Sequence, residues 1–114
     1  MPEIQVWRIF TGADGKSGME QLREVPGLAG DPLAAKSVTF TRLSKDLQPS
    51  WHCAPRRQMM ATLVGEGEIE TGDGQVLVLR PGIVTLLEDT QGVGHLTRPR
   101  GGQDRLAIVV PLQD

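Results

Sequence analysis

Two histidines and a glutamine stand out as the side chains with which this chain could do chemistry. His52 and His95 are the only histidines among the 114 residues, and Gln58 follows the first of them by six positions. Imidazole nitrogens bind transition metals and transfer protons near neutral pH, and an amide oxygen can accept a hydrogen bond or act as a neutral metal ligand. We therefore take these three residues as the candidate site.

The segment 51–67 carries the first two of these residues, and it reads as a strand that stops at a glycine-rich turn over residues 65–67. Side chains at even offsets in a strand point to the same face. His52 and Gln58 share that parity with the interior-sized side chains of Met60 and Thr62. An extended segment would therefore direct all four into one ligand pocket.

Short strands with frequent turns are the predicted framework for this pocket. Turn residues recur roughly every 8 to 12 positions, as in all-β sandwiches and barrels. The clearest strand segments are residues 4–10, 37–43, 68–70, 75–79, 83–87 and 105–112. The glycine-containing turn 71–74 predicts a tight hairpin. We therefore predict an all-β fold with little helix.

A few segments are less regular. Residues 18–25 are ambiguous between strand and helix, and a single helical turn is possible over residues 33–36. Residues 88–94 are predicted to form a polar loop that delivers His95, and residues 98–102 to form a further turn.

Composition limits the class of protein. The length predicts one domain over residues 1–114, and a hydrophobic content of 39% is too high for a disordered chain. The net charge of -2 and the absence of a basic run argue against nucleic acid and a membrane surface as partners. No apolar run could cross a bilayer, no secretory signal is visible, and the single cysteine cannot form an internal disulfide. We therefore expect a cytoplasmic protein.

The motifs around the candidate residues resemble those of the cupin superfamily. Its first motif is H-x-H, three or four residues, E, six residues and G; His52 stands at the first histidine, Gln58 at the glutamate and Gly65 at the glycine, while Ala54 replaces the second histidine. Its second motif begins with a glycine after a turn and ends in a histidine. In this chain Pro81-Gly82 stand at the beginning of such a segment and His95 stands at its end.

Two longer stretches are similar to a group of small bacterial single-domain cupins. That group has the motifs wHxAPrrQ and EDttGxGH, and this chain carries WHCAPRRQ and EDTQGVGH. Relatives in the group also show DGxSH near the N-terminus, where this chain has DGKSG and lacks the histidine. The resemblance implies a double-stranded β-helix, or jelly-roll barrel.

The resemblance also implies a metal site. Metal-dependent cupins hold iron, manganese, nickel or zinc with two or three histidines and a glutamate. Here the set would be His52, Gln58 and His95, which lacks the carboxylate of a two-histidine facial triad, so a divalent ion would be held weakly. Glu88 or Asp89 could join as a further ligand. The alternative is a metal-free pocket in which the three side chains bond one another and water.

Three functions from different classes follow, with no catalytic residue assigned. The first is a small-molecule enzyme of the cupin type with oxygenase- or isomerase-like chemistry. The second is a binding or sensing module for a small organic acid or sugar. The third is an interaction protein with a vestigial pocket. Cupins of this size usually pair, so we expect a homodimer that uses the exposed edge of the N-terminal strands.

Overall fold

The computed structural model describes residues 4–25, 30 and 32–113, and its regular structure is entirely β. The ten strands are β1 (Gln5–Thr11), β2 (Ser17–Gln21), β3 (Thr39–Leu43), β4 (Trp51–His52), β5 (Gln58–Val64), β6 (Glu66–Glu70), β7 (Val76–Leu79), β8 (Ile83–Leu87), β9 (His95–Arg100) and β10 (Arg105–Pro111). The predicted all-β class is confirmed. No helix that could span a membrane occurs in the part of the chain that is described.

The strands form two sheets. A six-stranded sheet has the order β2-β1-β8-β5-β10-β3, and a four-stranded sheet has the order β4-β9-β6-β7. From β3 onward the pairing is nested, because β3 pairs with β10, β4 with β9, β5 with β8 and β6 with β7, all antiparallel. β1 joins the larger sheet by pairing in parallel with β8.

Apolar side chains from both sheets form one core. Ile9 of β1 and Ile69 of β6 belong to the same buried cluster, and both are almost fully inaccessible to solvent. Burying an aliphatic side chain of this size contributes roughly 1.5–3 kcal/mol. The two sheets therefore face each other across this core.

A second apolar cluster lies on the opposite face of the six-stranded sheet. Val6 and Leu86 contribute to it, whereas Ile9 and Leu87 contribute to the first cluster, as alternation along a strand requires. Side chains from the segment after β2 pack against it, namely Leu22, Val25 and Leu33. The larger sheet is thus covered on both faces over part of its area.

The predicted hairpin at residues 71–74 is confirmed. The Gly74 amide donates to the Thr71 carbonyl at 3.0 Å, and Gly74 has a φ of 90°, a conformation that favours glycine. β6 and β7 pair on either side of this turn, with Glu70 opposite Val76.

The structure decides one ambiguous segment and corrects two predicted elements. Residues 18–25, ambiguous in the sequence, include most of β2 and no helix, because pairing with β1 outweighs the weak helical spacing. The possible helical turn is wrong, since residues 33–36 contain no helix and Ala35 forms a β-bridge with Leu112. The turn predicted at residues 98–102 begins only after β9 ends, because β9 pairs with β6 through its last residue.

The largest correction concerns the central segment, which is not one strand. β4 ends at His52, residues 55–57 bend, and β5 begins at Gln58. Pro55 cannot donate to a strand ladder, which favours the break. Since β4 lies in the smaller sheet and β5 in the larger one, the chain crosses between the sheets here.

Candidate functional site

A cavity of about 260 Å³ lies between the two sheets. The smaller sheet supplies His52, Ile69, Leu79, His95 and Thr97 to its wall, the larger sheet supplies Leu43, Gln58, Met60, Thr85, Leu87 and Arg105, and the connecting segments supply Leu47, Ala54 and Pro55. The exposed residues of this wall mark its solvent end, where His52 lies. The volume is just below the usual range for drug-sized ligands, which is about 300–1,000 Å³.

The two histidines are neighbours in the smaller sheet. His52 of β4 and His95 of β9 stand opposite each other in the antiparallel register, with ring centroids 4.8 Å apart and ring planes inclined by 60°. His52 is exposed, and its Nδ1 lies 3.1 Å from the carbonyl oxygen of Ser50, whereas His95 is only 3% exposed. The pair therefore places one imidazole at the solvent end of the cavity and one in its interior.

Gly94 allows the two strands to come this close. Its φ is 79°, and a Cβ atom at this position would lie 2.1 Å from the carbonyl oxygen of His52. Its own carbonyl accepts a hydrogen bond of 2.6 Å from the Ser17 hydroxyl, which is buried. The glycine before His95 is thus part of the geometry of the site.

Asp89 orients His95. Its Oδ2 lies 2.5 Å from His95 Nδ1, and the Asp89 side chain is completely buried. Since a carboxylate only accepts hydrogen bonds, the proton of this contact belongs to Nδ1 and Nε2 is the free ring nitrogen. Asp89 Oδ1 has no hydrogen-bond partner among the described residues.

Gln58 approaches the cavity from the other sheet. It is the first residue of β5 and is 8% exposed, and its side chain forms no hydrogen bond with the described residues. Met60 also lines the cavity, whereas Thr62 is not among the residues of its wall and instead accepts a hydrogen bond from the wall residue Arg105. The structure therefore brings His52, Gln58, Met60 and His95 together, but from two facing sheets rather than from one strand.

Arg105 is the wall residue that the sequence reasoning missed. It is 4% exposed, and its Nη1 donates to Thr62 Oγ1 at 3.0 Å and contacts Met60 Sδ at 3.7 Å. Burial lowers its pKa to about 10, so the guanidinium remains charged at neutral pH. One signal could have revealed it, since it is the only charged side chain of β10 and has the inward parity of Ala107.

Glu88 points away from the cavity. Its carboxylate accepts hydrogen bonds from Arg8 Nε and, at 2.5 Å, from Arg57 Nε. Burial alone would raise the pKa of Glu88, but the hydrogen bonds and charges of Arg57 and Arg8 outweigh it and hold the pKa below 4.5. Asp89, and not Glu88, therefore contacts a candidate site residue, namely His95.

Replacing Glu88 with glutamine is expected to lower the free energy of unfolding by about 1–3 kcal/mol at pH 7, since it weakens two charge-assisted hydrogen bonds. Because the folded pKa is lowered, this contribution is complete above pH 4.5 and is lost as the pH falls through the folded value. Urea unfolding at pH 7 and pH 3.5 measures the difference. Glu20→Gln, which removes a more exposed partner of Arg8, should cost less than about 1 kcal/mol. Equal losses for both variants would contradict this assignment.

Comparison with solved structures finds the crystal structure of protein NMB1881 from Neisseria meningitidis. The TM-score is 0.49 at 14% sequence identity, and the match covers 67% of this chain and 72% of that chain. No protein-family model matches the chain, and no curated protein matches it.

Proposed function

We propose that this chain binds a small organic molecule in the cavity between its sheets, without a metal ion. The observation that carries the proposal is a set of polar groups in a largely apolar wall that form no hydrogen bond with the described residues: the Gln58 amide, His95 Nε2 and most of the Arg105 guanidinium. None of these atoms is sealed off in the protein interior, since among the described residues the one fully buried side-chain atom without a partner is Asp89 Oδ1. They are therefore available to a ligand with matching polar atoms, which would gain the apolar contacts as well.

The cupin assignment is part of this proposal. In support, β3 to β10 pair in a nested order that folds one long antiparallel ribbon into two facing sheets, which is the topology of a jelly roll. The motif resemblance and the pairing point to the same architecture. In such folds the space between the sheets is where ligands bind.

The donor set does not fit a tightly held divalent metal. Two histidines and a neutral glutamine supply no anionic ligand, and Arg105 adds positive charge to the same cavity. No group of three histidine, cysteine, aspartate or glutamate side chains that could hold a metal ion occurs among the described residues. We therefore favour the metal-free alternative over an iron, manganese, nickel or zinc site on His52, Gln58 and His95.

Proton transfer on the bound ligand is the second candidate function. The Asp89–His95 contact favours it, because a carboxylate that orients an imidazole is a common arrangement for a general base. The chemistry would be isomerase-like, with the Nε2 atom of His95 taking and returning a proton. A vestigial cavity in an interaction protein is the third alternative.

A homodimer also remains a proposal. β2 and β3 are the two edges of the six-stranded sheet, and Phe40 on β3 is 75% exposed. Unpaired edges and exposed apolar side chains favour association of two copies. Sedimentation of the untagged chain at the monomer mass would rule it out.

The cytoplasmic location stays a prediction of the sequence.

Binding is tested by titrating ¹⁵N-labelled protein with a panel of small organic acids, amides and sugars. We expect at least one compound class to shift the resonances of His52, His95 and Gln58 together. Thr97→Leu, which adds apolar volume to the cavity wall, should weaken binding of every class, and the exposed control Thr90→Leu should not.

The same samples separate the alternatives. Stoichiometric metal in untagged protein that disappears in His52→Ala would overturn the metal-free proposal. Deuterium exchange into a bound ligand that is lost in His95→Gln would establish the proton-transfer function. A complete absence of ligand shifts in the folded protein would overturn small-molecule binding and favour the interaction protein.

A further inference from the structure

Arg105 is a buried cation without a counter-ion. Its side chain reaches the Thr62 hydroxyl and the Met60 sulfur, and no carboxylate of the described residues forms an ion pair with it. A guanidinium has five N–H donors, so most of its hydrogen-bonding capacity is unused. An isolated buried charge is among the costliest features of a protein interior.

A strand of the facing sheet leaves room for this costly group. A Cβ atom at Gly67 of β6 would lie 2.9 Å from Arg105 Nε, and Gly67 has no positive φ that would itself require glycine. The absence of a side chain at position 67 is therefore explained by the space that the guanidinium occupies. This is a second observation, independent of the hydrogen bonds, that the site is built around Arg105.

We propose that Arg105 binds the carboxylate of a small monoanionic organic acid whose apolar body fills the cavity. The proposal rests on the proposed function, since it names the class of the ligand. A guanidinium matches a carboxylate with two parallel hydrogen bonds, and this pairing supplies the missing counter-charge. The apolar side chains Leu43, Ile69, Leu79 and Leu87 line the rest of the wall.

The polar groups at the other side of the cavity suit a second functional group on that acid. His95 lies on the smaller sheet and Gln58 at the start of β5, and both have free hydrogen-bonding atoms. A ligand hydroxyl could donate to His95 Nε2, and a ligand hydroxyl or carbonyl oxygen could accept from the Gln58 amide. A hydroxy or oxo acid therefore matches the site more completely than a plain fatty acid.

The charge of the wall favours a carboxylate over a phosphate. A phosphate monoester carries a charge of about −1.5 to −2 at neutral pH and presents three acceptor oxygens. Among the described residues that line the cavity, Arg105 is the only lysine or arginine. One guanidinium balances one negative charge, which is that of a monocarboxylate.

The test compares acids with their uncharged amides in wild type, Arg105→Met and Arg105→Lys. The probes are benzoate and 2-oxohexanoate, with benzamide, 2-oxohexanamide and inorganic phosphate as the matched comparisons, in the NMR titration described above. We expect the acids to bind wild type more tightly than the amides, and Arg105→Met to weaken acid binding by about 10- to 100-fold with little effect on the amides. Arg105→Lys should keep part of the preference.

The melting temperature without ligand distinguishes an arginine that binds a ligand from one that stabilises the fold. Replacing an unpaired buried charge by an apolar side chain of similar length is expected to leave the melting temperature of Arg105→Met unchanged or higher. A lower melting temperature with unchanged acid binding would assign Arg105 a structural role and overturn the inference. Amides that bind as tightly as acids, or phosphate that competes with them, would overturn the carboxylate class while small-molecule binding stands. If neither the probes nor any compound of the wider panel binds, the result would overturn both the carboxylate inference and small-molecule binding.

Discussion

Gly94→Ala is expected to destabilise the protein by about 4 kcal/mol or more and to separate the two histidines, an effect at the upper end of those seen for single substitutions. Two penalties combine at this position. The φ of 79° strains any residue with a Cβ atom, and that atom would overlap the backbone of His52 and Cys53 at distances of 2.1 to 2.5 Å. The obstacle is strand backbone, which cannot rotate aside as a side chain can. Either β4 must separate from β9, or the turn at Gly94 must change its conformation.

Gly102→Ala is the matched control. Gly102 has a similar φ of 75° but no atom within 4 Å of the position its Cβ would take. It should therefore show the conformational penalty alone, about 1–2 kcal/mol. Urea unfolding gives both free energies, and nuclear Overhauser contacts between the imidazoles of His52 and His95 report the site. Equal losses for the two variants would mean that the close approach at Gly94 contributes nothing.

The strand framework could be predicted from the sequence because it depends on local patterns. The hairpin at residues 71–74 and the strands around it follow from glycine in the turn and apolar alternation on either side. The meeting of His52 and His95 was expected from the resemblance of their motifs to those of cupins. It requires the antiparallel register of β4 and β9, which joins residues distant in sequence.

The geometry across the sheets could not be predicted in the same way. The parity of residues 51–67 suggested one strand, and the break at Pro55 instead places His52 and Gln58 on facing sheets. Arg105 was missed because a single charged residue at the start of an apolar strand is usually solvated. Its burial depends on the space at Gly67, which is contributed by another strand.

The adjacent residues Glu88 and Asp89 are a second case in which the sequence could not predict where a side chain points. Both are acidic residues in the loop before His95, and nothing local indicates which one faces the interior. The packing of β1 decides the matter, because Arg8 lies where it can bind Glu88.

Asp89→Ala is expected to lower the free energy of unfolding by about 1–3 kcal/mol, the cost of leaving a buried hydrogen-bond donor without its acceptor. That donor is the Nδ1 atom of His95, which lies in the interior of the protein. Asp89→Asn keeps an oxygen for that hydrogen bond and should cost less. Urea unfolding measures the stability of all three proteins.

The imidazole of His95 gives the second measurement, and it links this prediction to the site. In wild type its ¹⁵N shifts should show the proton on Nδ1; in Asp89→Ala the Nε2–H tautomer should become populated, since nothing then holds the proton at Nδ1. The exposed carboxylate Asp73, removed by Asp73→Ala, is the control that should leave the tautomer unchanged. An unchanged tautomer in Asp89→Ala would show that Asp89 does not orient the ring. The buried residues Asp89 and Arg105 are therefore expected to respond in opposite ways: removing Asp89 should destabilise the fold, whereas removing Arg105 should not. Asp89 has His95 as its partner, but Arg105 has no counter-ion among the described residues and would obtain one from a ligand.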